Sequence, residues 1–187
     1  KIARDLETIY SLKLANDTKK ISKLLKKNRV DSLFIKGIPL SAQIYGEITS
    51  RGYGDIDLLI SRKDVRKSLD ILISNGYYVV NKFCKNDFKK IKQNIFINFH
   101  NQINLENKSH NSIDLHWDLF KNSNHFPDFK ILWANKKQIK INQTFINTLS
   151  PEDSLLLLCW HSTKDQWLLL REFIDMYRLI KINKNFI

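Results

Sequence analysis

With 187 residues, 43% of them hydrophobic, the chain carries enough apolar content for one globular domain, or one domain with a small helical extension, and excludes a disordered or fibrous protein. Its longest apolar run, Leu155 to Trp160, is far too short to span a bilayer, and Lys1 to Tyr10 has no signal-peptide core, so no membrane span is expected. The formal charge of +12 suits polyanionic partners such as RNA, yet it is carried by Lys in a chain rich in Asn and Ile, a bias that an AT-rich coding sequence imposes on any protein.

Residues 2 to 28 read as a helix, with Leu6, Ile9, Tyr10, Leu14, Ile21, Leu24 and Leu25 inward and a cap at Asn16 or Asp17. A short buried strand over 31 to 37 stops at Gly37, and a helix over 39 to 47 carries Leu40, Ile44 and Tyr45. A second strand covers 56 to 60. Ser61 to Asp64 has the pattern of a capping box before a helix that places Val65, Leu69, Leu72 and Ile73 inward and ends before Gly76. Tyr77 to Val80 is a third strand. This alternation is an α/β unit.

Beyond it, Lys82 to Gln93 is basic and irregular or weakly helical. Ile95 to Leu105 and Ser112 to Leu119 read as strands joined by a polar turn, and Asn142 with Gln143 marks a further hairpin. Ser150, Pro151, Glu152 and Asp153 combine a cap, a first-turn proline and acids at the positive end of a helix dipole. Helices over 151 to 164 and 166 to 182 follow. Cys84 and Cys159 form neither a disulfide framework nor a zinc site, which points to a reducing, cytoplasmic setting, with Cys159 a core thiol and Cys84 in a loop. The first residue is Lys1 rather than Met, and both ends are expected to be cut edges of a longer protein.

The stretch RGYGDIDLLIS, Arg51 to Ser61, sets Asp55 and Asp57 at the entrance to an apolar strand. Alternate strand residues share a face, so two carboxylates so spaced can share one hard cation, although the same residues also suit a solvated turn. Three features favour the first reading. The strand ending at Lys36 and Gly37 feeds a helix whose N–H groups can face a phosphate, with Ser41 nearby. Arg51 lies within reach of the same phosphates. SIDLHW supplies Asp114 from a distant strand, with His116 on its face as a group to orient the acceptor or Asp114. Two Mg²⁺ ions about 4 Å apart serve in-line phosphoryl displacement, Asp55 and Asp57 holding one, Asp57 and Asp114 the other; Mn²⁺ can substitute.

These segments, FIKGIPLSAQIYG, RGYGDIDLLIS, LDILISNGYYV, SIDLHWDLF, LSPEDSLLLLCWHSTKDQW and LREFIDMYRLI, resemble in order the bacterial uncharacterised nucleotidyltransferase family of the DNA polymerase β nucleotidyltransferase superfamily, over about residues 30 to 182. The resemblance implies an α+β fold with an α/β-like core: a mixed sheet with helices (30–148), preceded by a helical segment (1–29) and followed by a helical C-terminal part (149–187). It also implies transfer of a nucleoside monophosphate from an NTP, ATP by default, to an acceptor hydroxyl on a small molecule, RNA or protein. The wider superfamily has Gly-Ser where this chain has Lys36-Gly37, so Lys36 is expected to replace the serine contact. The competing reading is a degenerate or antitoxin-like module that binds nucleic acid or a partner protein. Asp175 is expected to pair with an Arg or Lys, His161 to serve a core or interhelical role, and Trp133, Trp160 and Trp167 to pack in the core. His100 falls on a strand, and the run Lys82 to Lys92 is a solvated face or the border of a nucleic-acid acceptor.

Overall fold

The computed structural model describes residues 2–80, 90–120, 127–141 and 143–183. Helix α1 (Ile2–Lys27) turns Ser11, Leu14, Thr18, Ile21 and Leu25 inward, at steps of three and four that keep one face toward the interior. The expected seam holds from Tyr10 through Leu14, Ile21 and Leu25, but Leu6 and Ile9, 62% and 51% exposed, lie outside it. Asn16 and Asp17 do not cap, because the helix passes through them. Asp17 instead accepts hydrogen bonds from Asn107 and Asn111, at 3.2 and 2.6 Å, tying α1 to a distant turn.

The first half continues as β1 (Ser32–Phe34), α2 (Gly37–Tyr45), β2 (Asp55–Ile60), α3 (Val65–Ser74) and β3 (Tyr77–Val79). Ser61 makes no side-chain cap; residues Arg62–Asp64 form a single 3₁₀ turn that leads into α3. Ile73 is exposed, while Val65, Leu69 and Leu72 are buried as their spacing predicts. The chain leaves α3 through Gly76 at φ 89°, a left-handed position that glycine occupies without steric cost.

The second half corrects the reading at one place. The apolar residues after Asn94 continue helix α4 (Lys90–Phe99), and β4 begins only at Gln102 and runs to Asn107. A short apolar run fits a buried strand or a helix equally well. Here Phe96 and His100, four residues apart, stack ring on ring at 4.0 Å, a helical contact, so His100 is not a strand residue. Residues 82–89, with Cys84 and most of the basic run, lie outside the described residues.

β5 (Ser112–His116) follows, shorter than expected, then an unforeseen helix α5 (Phe129–Asn135), started by Asp128, whose Oδ1 accepts from Ile131 N–H at 3.0 Å. The expected hairpin is β6 (Lys137–Ile141) with β7 (Thr144–Thr148); Asn142 lies outside the described residues. Ser150 caps α6 (Pro151–Lys164) as its sequence predicts. α7 (Leu170–Ile182) starts later than expected because Gln166 and Trp167 take φ of 53° and 60°, which no helix accommodates.

Strands order as β1-β2-β5-β4-β3 in one mixed sheet, with β2 and β5 parallel and the other neighbours antiparallel. One face, carrying Ile56, Leu58, Ile60, Ile103, Leu105, Ile113 and Leu115, packs on α1 and α3 and forms the main core. The other face buries Leu33, Ile35 and Leu59 under Phe120, Leu132, Leu149 and Leu157. A third cluster, Leu40, Ile44, Leu158, Met176 and Leu179, fastens α6 and α7 to α2, with Cys159 packed against it. Thus the C-terminal helices come to lie beside the turn at Lys36 and Gly37. Among the described residues no helix is long and apolar enough to cross a membrane.

Candidate active site

Because Ile56, Leu58 and Ile60 belong to the core, strand alternation sends Asp55 and Asp57 to the opposite face. On β5, Ile113 and Leu115 do the same for Asp114 and His116. The parallel register sets Asp57 directly opposite Asp114, and the β4–β5 hairpin sets Asn104 opposite Asp114. Asp57, Asp114 and Asn104 therefore form one row across three strands. Asn104 Nδ2 donates to Asp114 Oδ1 at 2.6 Å.

Ligand atoms of Asp57, Asp114 and His116 lie within 4.8 Å of one another, close enough to hold a metal ion. Asp55 was expected to share that role with Asp57. The close group contains His116 in its place, while Asp55 flanks it two residues earlier on the same strand face. His116 Nε2 is 3.3 Å and Lys36 Nζ 3.5 Å from Asp57 Oδ1. Burial by itself would raise Asp57, but the hydrogen bond with His116 and the nearby Lys36 charge overcome it and hold the carboxyl below its usual range. Among the described residues Asp55 has no such close partner. Burial first, then the Asp57 and Asp114 carboxylates, push it up to about 6. Asp114 is also raised, chiefly by burial.

Beside these acids lies a cavity of about 270 Å³, lined by Lys36, Gly37, Arg51 and Asp55 and, from the C-terminal helical part, by His161 and Arg171. A larger cavity of about 760 Å³ sits past the far end of β2, near Ser61 and Trp133, but none of Asp55, Asp57 or Asp114 lines it. Asp55 and Asp57 line the smaller one. Gly37 opens α2 at φ 51°, and a Cβ there would stand 3.4 Å from the Asp55 carbonyl oxygen. That contact is ordinary, so it is the left-handed φ at the start of α2 that favours glycine here.

The remaining expected residues divide. Arg51 lines the cavity, but its Nε donates to Asp175 Oδ2 at 2.6 Å, with Tyr45 OH on the other oxygen at 3.0 Å, so Asp175 has the basic partner predicted for it. Ser41 is fully buried, and its Oγ donates to the Glu47 carbonyl at 2.7 Å. It therefore points away from any phosphate at Gly37. In the RGYG loop, Tyr10 OH donates to the Gly54 carbonyl at 2.8 Å and Arg171 Nη1 to the Gly52 carbonyl at 3.2 Å.

His161 joins α6 to α7, its Nδ1 2.7 Å from Glu172 Oε1 and 3.2 Å from Asp165 Oδ2, while Ser162 Oγ donates to Glu172 at 2.6 Å. This is the interhelical role expected of it, at a place that also borders the cavity. Trp133 and Trp160 pack against the second apolar cluster, but Trp167 is 43% exposed.

The chain matches the model of the family described as uncharacterised nucleotidyltransferase over residues 3–186. The chain belongs to this family. It is accordingly a nucleotidyltransferase, an enzyme of phosphorus-containing group transfer. Its fold is that of the polymerase-β-type nucleotidyltransferases. The lincomycin-bound lincosamide antibiotic adenylyltransferase LnuA is similar at 17% identity and TM-score 0.57, over 86% of this chain and 92% of that one. The antibiotic-resistance factor ANT(2'')-Ia is similar at 12% identity and TM-score 0.63, over 91% and 84%. An antigenic nucleotidyltransferase-like protein from Paracoccidioides brasiliensis is similar at 13% identity and TM-score 0.55, over 90% and 76%. No curated protein sequence matches.

Two groups bordering the site in this nucleotidyltransferase stand outside the residues the sequence singled out. Asn104 lies in the expected strand, and the hairpin folded about Ser109 sets it opposite Asp114, but a neutral amide carries no signal of its own. Arg171 carried no local signal, since its place beside Gly52 depends on how α7 packs.

Proposed function

We propose that this nucleotidyltransferase moves a nucleoside monophosphate from an NTP, ATP by default, to a hydroxyl of an acceptor, releasing pyrophosphate. The observation that carries the reading is the register of β2 on β5, which sets Asp57 opposite Asp114 with His116 beside them and a cation-lined cavity adjoining. The carboxylates of Asp57 and Asp114 suit a hard divalent cation, Mg²⁺ or Mn²⁺, with His116 orienting Asp57 through its hydrogen bond and Asp55, on the same strand face, a further oxygen ligand. Bound there, such ions supply charge neutralisation for the phosphates and acidify the acceptor hydroxyl.

The chain's own residues do the positioning. Lys36, 20% exposed at its side chain, stands between Asp57 and the cavity and can present its ammonium to a phosphate oxygen. Gly37 lets the first turn of α2 approach the same place, adding backbone N–H groups and the positive end of the helix dipole. Arg51, held by Asp175, gives a fixed guanidinium on the cavity wall. Asp114, raised by burial, is a carboxylate able to take the acceptor proton, with Asn104 fixing its orientation. Because little covalent chemistry falls to the protein, placement and electrostatics carry the rate.

LnuA is an adenylyltransferase of lincosamides, and ANT(2'')-Ia is seen with adenylyl-2''-tobramycin. Their folds support a small hydroxylated molecule as acceptor here as well, ahead of RNA or protein. The test is transfer of label from α-labelled ATP and the other NTPs, with Mg²⁺ or Mn²⁺, to small-molecule extracts, RNA and protein, with products sized. Label should pass to a small product with pyrophosphate release, and Asp57→Asn should lower the rate by about a thousandfold or more. Full activity in Asp57→Asn would falsify the metal-centred mechanism. Tight, salt-sensitive RNA binding without metal-dependent nucleotide binding would favour the binding-module reading instead.

A further inference from the structure

We propose that Arg171, at the start of α7, is a phosphate-binding residue of the nucleotide pocket, delivered from the C-terminal helical part. The inference rests on the nucleotidyl-transfer reading above and adds a residue to it.

The charges around the 270 Å³ cavity lead to this residue by their pairing. Of the three cations on its wall, Lys36 is engaged with Asp57, and Arg51 is locked in a buried pair with Asp175. Glu172, the acid next to Arg171 in sequence, is 3% exposed and turned to His161 and Ser162, so it does not neutralise its neighbour. Arg171 has no acidic partner among the described residues. Its single hydrogen bond, to the neutral Gly52 carbonyl at 3.2 Å, is one that a guanidinium readily exchanges for a charged acceptor.

The position in the helix points the same way. A cation in the first turn of a helix opposes the positive end of the dipole, and α7 has no side chain capping that end. Both features are locally unfavourable in the free protein, and both become favourable once an anion enters the cavity. Arg171, bonded to Gly52, lines the same cavity as Lys36 and Gly37 at the head of α2. A triphosphate lying between α2 and α7 would then meet a cation from each side. Arg171 is exposed, so its side chain is free to turn, and the planar fork can take two phosphate oxygens at once.

The experiment is calorimetric titration of the full chain with a non-transferable ATP analogue (α,β-methylene ATP), with AMP and with adenosine, in Mg²⁺, for wild type, Arg171→Ala and Arg171→Lys. Expected is a loss of about tenfold in affinity for the triphosphate in Arg171→Ala, with adenosine unchanged and Arg171→Lys in between. An unaltered melting temperature of the apo variant confirms that the fold is intact. Triphosphate affinity equal to wild type in Arg171→Ala overturns the inference and leaves the transfer reading standing. Equal losses for adenosine and triphosphate also overturn it, since they mark a general effect on the pocket. A wild type that binds no nucleotide in Mg²⁺ overturns the transfer reading, and the inference with it.

Discussion

Arg51 and Asp175, 124 residues apart, form a buried ion pair in which the arginine Nε donates to Oδ2 at 2.6 Å. Asp175 is fully buried and Arg51 nearly so, and Tyr45 OH occupies the second carboxylate oxygen. The pair fastens α7 to the loop that delivers β2, so the site's geometry depends on the last helix. Asp175→Ala leaves a buried guanidinium unpaired and is expected to cost about 3–5 kcal/mol in denaturant unfolding. Replacing both partners by apolar residues of similar size should recover most of that loss. A wild-type unfolding midpoint in the single variant would sink the account.

The raised Asp55 gives the metal-free protein a pH signature. Its folded pKa of about 6 exceeds its ordinary 3.8, so its contribution to stability is fully present below about pH 3.8 and is lost as the pH rises through about 6. A bound divalent cation needs the ionised form and removes that penalty. The rise in melting temperature produced by Mg²⁺ should accordingly grow between pH 5 and 7, and Asp55→Asn should flatten the trend. Differential scanning fluorimetry across buffers reads it directly, and a Mg²⁺ effect independent of pH would exclude Asp55 from the metal site.

Asn104 donates to Asp114 and acts through it. Its side chain is exposed, so Asn104→Leu should barely move stability. The freed Asp114 should lose its fixed orientation, with a drop of about 10–100-fold in apparent metal affinity. Activity against Mg²⁺ concentration separates this from a binding defect: saturating metal should restore much of the rate.

At Gly37 a methyl group finds room but meets a left-handed backbone, φ 51°. Gly37→Ala is expected to cost about 1–2 kcal/mol and to lower activity further than its stability loss explains, because relieving the φ strain shifts the first turn of α2 beside Lys36. Unfolding midpoints and kcat/KM measured together test both halves.

Most of the elements were legible because they follow from local rules. Ser150 and Pro151 announce α6, strand alternation sends Asp55 and Asp57 away from Leu58 and Ile60, and the spacing of Val65, Leu69 and Leu72 predicts the buried side of α3. The reading failed where local rules are degenerate: the apolar residues around Phe96 suit a strand as well as the helix they form, and Leu6 and Ile9 suit a seam that the interior does not reach. The sequence by itself determined which strands carry Asp55, Asp57 and Asp114 and where the glycine turn before α2 falls, since periodicity, caps and turn chemistry act over a few residues. Only the tertiary structure decided that His116 joins Asp57 and Asp114, that Ser41 turns inward, and that Asp175 and Arg171 reach the RGYG loop. Those outcomes depend on strand register and on the docking of α7 against α2, long-range contacts that no short stretch of sequence encodes.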